Sequence, residues 1–326
     1  MSDTLLEIDN LSVDYETERG DLKALRDISF DVQKGEIVGI VGESGCGKST
    51  LISSILRLTA PNTRFRQGEV RFNGDDILAK SERQMRDLRG SEISIVFQDP
   101  MQTHNPVLSI GRQLVDIQHR SKASKAQKLD IAAKMLAAVG IPDPQARLKQ
   151  YPHEFSGGMR QRIAIAMALM SEPDLLIADE PTTALDATLE VQIIERLKEL
   201  QSEMNCAILF ISHHLGVIAE LCDRVVVMYA GAVVESGDVC EIFHDPKHPY
   251  TRRLIECDPG HIKTRARVLP TIPGEVPDLA NLPDGCIFRD RCEQATDRCK
   301  QVPALEKLKE GHFAACWLNH PEEVTT

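Results

Sequence analysis

The chain has 326 residues, a length that suggests about two domains. Its formal net charge is −11, which argues against a dedicated nucleic-acid-binding protein, because such proteins usually carry a basic face. The first ten residues lack the basic start of a signal peptide, and no stretch approaches about 18 uncharged apolar residues. We therefore expect a cytoplasmic protein that spans no membrane itself but could dock on a membrane protein.

The first 41 residues predict a β layer that leads into a buried strand. Residues 5–8, 11–15 and 24–32 show the alternation that is typical of antiparallel strands, and residues 37–41 form a short apolar run. Tyr15 could stack on an adenine ring, since every base offers a π face. Its spacing alone favours a half-buried strand tyrosine instead.

A phosphate-binding loop follows this apolar run. Residues 42–49 fit the pattern G-x-x-x-x-G-K-[ST], and residues 51–58 read as a helix, so the motif lies between a strand and a helix as it must. Backbone N–H groups and the helix N-terminus would surround the phosphates, Lys48 would reach the β- and γ-phosphates, and Ser49 would ligate Mg²⁺. The residues expected to bind the nucleotide here are Gly42, Glu43, Ser44, Gly45, Cys46, Gly47, Lys48, Ser49 and Thr50.

Polar residues end three further apolar strands. Asp179 and Glu180 follow one strand, where Asp179 would hold Mg²⁺ and Glu180 would act as a general base; a solvated acidic strand end is the alternative. Gln98 could meet the metal or a water, or be an ordinary loop glutamine. His213 could contact a γ-phosphate, although a surface or capping histidine is favoured in isolation.

Helical spacing replaces the strands between residues 101 and 170. Ser156, Gly157 and Gly158 precede an apolar helix at residues 163–170 and form either a second anion site or a helix cap. A turn with Asp186 then leads to a helix at residues 189–203, and residues 225–237 read as a closing hairpin.

The order of these motifs resembles that of the ATP-binding subunits of ABC transporters, over residues 5 to about 250. In this resemblance Gln98 is the glutamine loop, residues 155–159 are the signature motif and His213 is the switch histidine. Tyr15 then matches the adenine-stacking aromatic residue. Met159 replaces the usual signature glutamine, and His214 stands where an aspartate commonly follows the switch histidine; neither change removes a catalytic group.

The resemblance implies an α/β fold with a RecA-like phosphate-loop NTPase core, an antiparallel β subdomain and a helical subdomain at about residues 100–170. We expect an ATP-binding domain over residues 1–255 and a small, cysteine-containing C-terminal extension over residues 256–326. The implied cofactors are ATP and Mg²⁺, with the metal held by Ser49, Gln98 and Asp179. The implied catalytic residues are Glu180, His213 and Gln98.

The resemblance also implies partners. Two such subunits pair head to tail, so that each ATP lies between one phosphate loop and the partner's signature motif, here Ser156, Gly157 and Gly158. The turn at residues 184–186 resembles the family's aspartate-containing turn, so Asp186 is also expected at the nucleotide. The expected partners are a related second ATP-binding subunit, two membrane permease subunits and an external solute-binding receptor. Direct binding to nucleic acid is not expected. The chain would lie peripherally on the cytoplasmic face of the bacterial inner membrane.

The tail narrows the resemblance to importers. Residues 243–251 resemble the F-x-x-P-x-H-P-Y-T stretch of peptide-import ATPases, and residues 269–286 resemble the extension of the dipeptide/oligopeptide group. That group also imports nickel, some oligosaccharides and opines, so the substrate does not follow. The alternative is a soluble ABC-type ATPase acting on DNA or ribosomes, but residues 100–160 lack sustained heptads and only one ATPase unit is present.

Nine cysteines, an odd number, argue against a disulfide framework. Four of them, Cys286, Cys292, Cys299 and Cys316, cluster near the C-terminus, and four thiolates could hold zinc or an iron–sulfur cluster or remain free. Their spacing lacks the C-x-x-C pairs of zinc ribbons. The resemblance implies a 4Fe–4S cluster that staples the tail, and we expect ATP binding to survive its loss because the phosphate loop lies in a domain with its own core.

Overall fold

The described part of the chain is organised around two β-sheets. The computed structural model describes residues 3–99, 103–182, 187–258, 260 and 270–320. In this part of the chain the strands are β1 (Thr4–Thr17), β2 (Gly20–Gln33), β3 (Ile37–Val41), β4 (Thr63–Phe72), β5 (Asp75–Asp76), β6 (Ile93–Val96), β7 (Leu175–Asp179), β8 (Ala207–Ile211), β9 (Arg224–Tyr229), β10 (Ala232–Asp238), β11 (Glu306–Lys309) and β12 (His312–Ala314).

The smaller sheet is antiparallel, with the order β2–β1–β4–β5. The two strands expected at residues 5–8 and 11–15 are a single strand, β1. Its pairing with β2 shifts register between Ile8 and Leu11, where Asn10 takes a left-handed φ of 49°. Such a bulge bends a strand without ending it, which is why the two alternating patterns are separate in the sequence.

The larger sheet has the order β11–β12–β10–β9–β3–β8–β7–β6. Strands β9, β3, β8, β7 and β6 are parallel to one another, while β10, β12 and β11 pair antiparallel at one side. The parallel strands end at the same edge of the sheet, so the residues after β3, β7 and β8 lie close together there.

Helices cover the larger sheet and fill the connections. Their bounds are α1 (Lys48–Leu56), α2 (Glu82–Leu88), α3 (Ile110–Ile117), α4 (Lys125–Ala138), α5 (Pro144–Arg147), α6 (Gly157–Leu169), α7 (Ala187–Met204), α8 (Leu215–Leu221), α9 (Val239–His244) and α10 (Pro249–Glu256). Short 3₁₀ helices occur at Gln118–Arg120, Pro152–Glu154, Arg289–Arg291, Asp297–Lys300 and Trp317–Asn319. Among the described residues, no helix has both the length and the apolar composition required to cross a membrane.

Alternate residues of the central strands supply two hydrophobic cores, one on each face of the larger sheet. In β8, Ile208 and Phe210 belong to the core that packs against α3, α4 and α6. Leu209 and Ile211 point the other way, into the core shared with α1 and the smaller sheet. Burial on both faces explains why these strands are continuous apolar runs in the sequence.

The tail adds to the larger sheet instead of folding apart from it. Strand β12 pairs with β10, so the β9–β10 hairpin does not close the sheet as its sequence suggested. Tail residues Cys286, Phe288 and Cys299 belong to the same hydrophobic core as the helices over the sheet. The tail therefore contributes a strand to the larger sheet and buried side chains to one of its cores, while the buried residues of the core that contains Cys46 and α1 all lie before the tail.

Candidate functional site

Two glycines of the phosphate loop lie so close to neighbouring backbone that a larger residue would displace it. Gly42 and Gly47 have φ values of 155° and 106°. A Cβ at Gly42 would lie 2.2 Å from the carbonyl oxygen of Met228, and one at Gly47 would lie 2.8 Å from that of Ala24. The loop is thus pressed against neighbouring backbone before it turns into α1, which begins at Lys48.

Lys48 lies over this loop. Its Nζ donates hydrogen bonds to the carbonyl oxygens of Gly42, at 2.6 Å, and Glu43, at 3.2 Å. The ammonium group is held where an anion bound to the loop would meet it, and the N-terminus of α1 adds partial positive charge at the same place.

Three side chains meet at the carboxyl edge of the parallel strands. Glu180 follows β7, and its Oε2 accepts a hydrogen bond from Nε2 of Gln98 at 2.7 Å. The other carboxylate oxygen, Oε1, lies 3.2 Å from Nδ1 of His213, which follows β8. The structure therefore brings together the three residues that the sequence predicted as catalytic.

Asp179 lies beside this group, at the end of β7. Burial raises the pKa of its carboxyl group, the negative charge of Glu180 raises it further, and Lys48 opposes both effects. Two neighbouring carboxylates in a partly buried site favour a bound cation. Asp179, Ser49 and Gln98 offer the oxygen ligands that Mg²⁺ prefers, so the residues present fit the expected metal.

One cavity of about 450 Å³ joins these groups to the aromatic end of the site. Tyr15 lies at that end and donates a hydrogen bond from its hydroxyl to Oγ1 of Thr50 at 3.2 Å. The residues lining the cavity are Tyr15, Leu22, Ala24, Gly42, Ser44, Gly45, Gly47, Lys48, Ser49, Thr50, Gln98, Asp179, Glu180, His213 and Leu279. A cavity with an apolar end and an anion-binding end suits a nucleoside triphosphate.

The signature residues do not line this cavity. Ser156 is exposed and caps α6, because its Oγ accepts a hydrogen bond from the backbone N–H of Met159 at 3.3 Å. Gly157 and Gly158 begin that helix, six residues before the apolar pattern that predicted it. Asp186 lies outside the described residues.

The four C-terminal cysteines lie in one region of the tail. Cys286, Cys299 and Cys316 are buried, and Cys292 is half-buried. The pKa of Cys316 is raised to about 11, mainly by burial and to a smaller extent by the charges of the other three cysteines, against a backbone hydrogen bond from Leu318 that lowers it. Four sulfurs are a suitable donor set for an iron–sulfur cluster, yet within the described ranges no three His, Cys, Asp or Glu side chains are arranged to hold a metal.

Sequence reasoning missed three residues that contact the site from the C-terminal side. The hydroxyl of Tyr250 accepts a hydrogen bond from the backbone N–H of Glu43 at 2.9 Å, and the Arg291 guanidinium pairs with the Glu43 carboxylate. Leu279 lines the cavity. Tyr250 belongs to the F-x-x-P-x-H-P-Y-T stretch, which by itself indicates no contact with the phosphate loop, and no local pattern distinguishes Arg291 or Leu279.

A phosphate loop, an acidic strand end and a cavity between them define a phosphate-loop NTPase. The family model described as "ABC transporter" matches residues 25–183, and the model described as "Oligopeptide/dipeptide transporter, C-terminal region" matches residues 234–299. The chain therefore belongs to the ABC transporter family, within the group of oligopeptide and dipeptide transport ATP-binding proteins.

Similar proteins match over nearly the whole length. The chain is 48% identical to a probable peptide ABC transporter ATP-binding protein of Sinorhizobium fredii, covering 97% of this chain and 95% of that protein. It is 46% identical to the oligopeptide transport ATP-binding protein OppD of Bacillus subtilis, covering 98% and 90%. A solved dimeric structure of MJ0796, a bacterial ABC transporter cassette, matches with a TM-score of 0.65 at 26% identity, over 72% of this chain and 99% of that one.

Proposed function

We propose that this chain is the ATP-hydrolysing subunit of an ABC importer that takes up dipeptides, oligopeptides or a related small solute. One observation carries the proposal: the same chain combines the cavity that joins Lys48, Asp179 and Glu180 with a C-terminal region of the oligopeptide/dipeptide transporter type. The near full-length similarity to transport ATP-binding proteins disfavours the alternative of an ATPase acting on DNA or ribosomes.

The geometry supports the following roles for these residues in ATP binding and hydrolysis. The loop N–H groups and Lys48 bind the triphosphate, which replaces the loop carbonyl oxygens as the partner of the ammonium group. Mg²⁺, held by Ser49, Asp179 and Gln98, would neutralise charge on the phosphates. Glu180, oriented by its contacts with Gln98 and His213, accepts a proton from the attacking water as the bond from the γ-phosphorus to the leaving oxygen breaks.

We also propose the assembly that this site requires. Ser156 is exposed and lies outside its own chain's cavity, which supports a role for Ser156, Gly157, Gly158 and Asp186 at the nucleotide of a second, related ATP-binding subunit. Residues 1–255 would form the ATP-binding domain, with the helical subdomain at about 100–170, and residues 256–326 the extension. Two permease subunits and an external receptor complete the importer, with this chain on the cytoplasmic face of the inner membrane.

Peptide uptake tests the function. Cells that lack the chain should lose uptake of a labelled dipeptide or oligopeptide, and the intact chain should restore it. Lys48→Ala should fail to restore it because the phosphates lose their positive partner. Lys34→Ala, at an exposed turn, serves as the matched control. Uptake restored by Lys48→Ala, or co-purification with ribosomes or DNA instead of membrane subunits, would refute the proposal.

A second proposal concerns the tail cysteines: Cys286, Cys292, Cys299 and Cys316 hold a 4Fe–4S cluster. Their soft sulfur donors, their common location and the burial of three of them support it. The cluster would tie together a tail segment that has little regular structure of its own, since metal binding and local folding are coupled.

Anaerobic purification tests the cluster. The protein should be brown, with broad absorbance at roughly 400 nm and bound iron and acid-labile sulfide. Cys292→Ser should bleach it, whereas Cys240→Ser, which changes an exposed cysteine elsewhere, should not. A colourless protein with one zinc per chain would favour the zinc alternative, and metal-free protein with four titratable thiols would leave them as free cysteines.

A further inference from the structure

The C-terminal tail contacts the nucleotide cavity at one point and the phosphate loop at another. Leu279 lines the cavity itself, and its backbone oxygen accepts a hydrogen bond from the N–H of Lys23 at 3.0 Å, which ties the tail to β2. Arg291 reaches the phosphate loop from the other side and contacts Glu43. Neither residue belongs to the motifs that define the ATP-binding domain.

Arg291 is held in a single orientation by its contacts. Its Nη1 and Nη2 donate to the two carboxylate oxygens of Glu43 at 2.7 and 3.1 Å. Nη1 also donates to the hydroxyl of Tyr229 at 3.2 Å, while Nε and Nη2 donate to the backbone oxygens of Pro273, at 2.7 Å, and Ile272, at 3.2 Å. Only 5% of the side chain is exposed. A bidentate pair between a buried guanidinium and a half-buried carboxylate fixes the orientation of both side chains.

Glu43 is the reason this contact matters for ATP. It is an acidic residue within the loop that must bind a triphosphate, and an unpaired carboxylate there would repel the phosphates. Its side chain is absent from the cavity lining, and its backbone N–H is already bonded to the hydroxyl of Tyr250. Arg291 therefore neutralises this carboxylate and holds it away from the phosphate side of the loop.

Leu279 lies at the opposite, apolar end of the cavity. It shares that end with Tyr15 and Leu22, and it is partly buried against the main hydrophobic core. An aliphatic side chain beside an aromatic ring makes a suitable wall for a flat, largely apolar base. The phosphates, by contrast, would lie at the loop, with Lys48 and Ser49.

We propose that the tail completes the ATP site, with Arg291 as a positioning residue for the phosphate loop and Leu279 as a wall against the base. The inference rests on the proposed function, because it assumes that ATP occupies the cavity. It gives the tail a direct role in nucleotide affinity, so that the tail is more than a structural attachment.

Nucleotide affinity measured on the full chain tests Arg291. Arg291→Ala should weaken both ATP and inorganic tripolyphosphate about tenfold, since an uncompensated carboxylate repels either anion. Adding Glu43→Gln to Arg291→Ala should recover most of that loss, which a merely unfolded tail could not do. Arg289→Ala, whose side chain pairs with Asp290 in the same 3₁₀ helix, is the matched control and should bind as the unchanged chain does.

Leu279→Ala tests the role of Leu279 independently of Arg291. It should weaken ATP about fivefold, the scale of one lost apolar contact, and leave tripolyphosphate binding unchanged because that probe has no base. If Leu279→Ala weakened the affinity for both probes equally, or left the ATP affinity unchanged, the role of Leu279 would be overturned. If Arg291→Ala bound both probes normally, or if adding Glu43→Gln did not restore the affinity, the role of Arg291 would be overturned. An unaltered chain that binds no ATP would refute the proposed function itself.

Discussion

At the scale of single residues, the orientation of the Glu180 carboxylate is set by its backbone conformation as well as by its side-chain partners. Its φ of 46° is in the left-handed region, which non-glycine residues adopt at an energetic cost and which is concentrated at functional sites. Its N–H donates to the carbonyl oxygen of Ile211 at 2.9 Å, which fixes the turn after β7. The carboxylate consequently points to Gln98 and His213 before any ligand binds.

We predict that Glu180→Gln retains ATP binding but lowers turnover at least about 100-fold, the usual scale for loss of a general base. The amide keeps the shape and the hydrogen bonds but cannot accept the proton from water. ATPase assays and nucleotide binding should be measured together, and the variant should accumulate as an ATP-bound closed dimer. Glu172→Gln, an exposed carboxylate, is the control. Turnover close to that of the unchanged chain would remove Glu180 from this role.

At the scale of elements, α10 connects the larger sheet to the phosphate loop. The helix begins after His248, whose Nδ1 accepts a hydrogen bond from the N–H of Tyr250 at 3.1 Å, while its own N–H donates to the buried Glu235 at 2.9 Å. The hydroxyl of Tyr250 in turn holds the loop at Glu43. Burial lowers the pKa of His248 to about 4, opposed by the charge of Glu235.

This cap predicts a pH dependence of stability. His248 has a pKa near 4 when folded and near 6.5 when unfolded, so the unfolded chain binds more protons between these values and acid destabilises the fold. The contribution lost between pH 7 and pH 5 is about 2 kcal/mol. Denaturant unfolding at both pH values should show a smaller loss for His248→Asn, which can still cap the helix, and an unchanged loss for the exposed His153→Asn. Equal losses in all three would contradict the assignment.

At the scale of the whole molecule, the bounds of an element could be predicted from the sequence where the element is long and buried along its length. Strand β3 is buried along its whole length, so its apolar run at residues 37–41 coincides with its observed bounds. Helix α6 begins earlier than its apolar pattern because its first turns are polar. Strand β12 has only three residues, too few for an alternation to be recognised.

The residues of the candidate site likewise fall into two groups, those that local motifs predict and those that only long-range contacts bring to the site. The sequence predicted the residues that local motifs carry, and the structure brings Tyr15, Lys48, Asp179 and Glu180 to one cavity. It could not predict the pairing of Glu43 with Arg291, because 248 positions separate them and no periodicity records such a distance. The same long-range contacts join the tail to the loop, so the tail and the ATP site should respond to each other.

The last prediction concerns the assembly, in which one chain supplies half of each site. Because Ser156 is exposed and is not among the residues lining its own cavity, Ser156→Arg should leave ATP bound at its own phosphate loop while blocking hydrolysis at the loop of the paired subunit. Arginine is too large for a position that would lie against another chain's nucleotide. Ser202→Arg, on an exposed face of α7, is the control.

A mixed dimer of one altered and one unaltered subunit distinguishes the possibilities, with nucleotide occupancy and turnover read at each loop separately. Hydrolysis should stop at the phosphate loop that faces the altered signature motif. It should continue at the other loop if the two sites hydrolyse ATP independently, whereas arrest at both loops would mean that hydrolysis at the two sites is coupled. In either case the altered chain keeps its own ATP. Loss of ATP from the altered chain's own loop would show instead that the signature serves its own site, and the head-to-tail pairing would have to be abandoned.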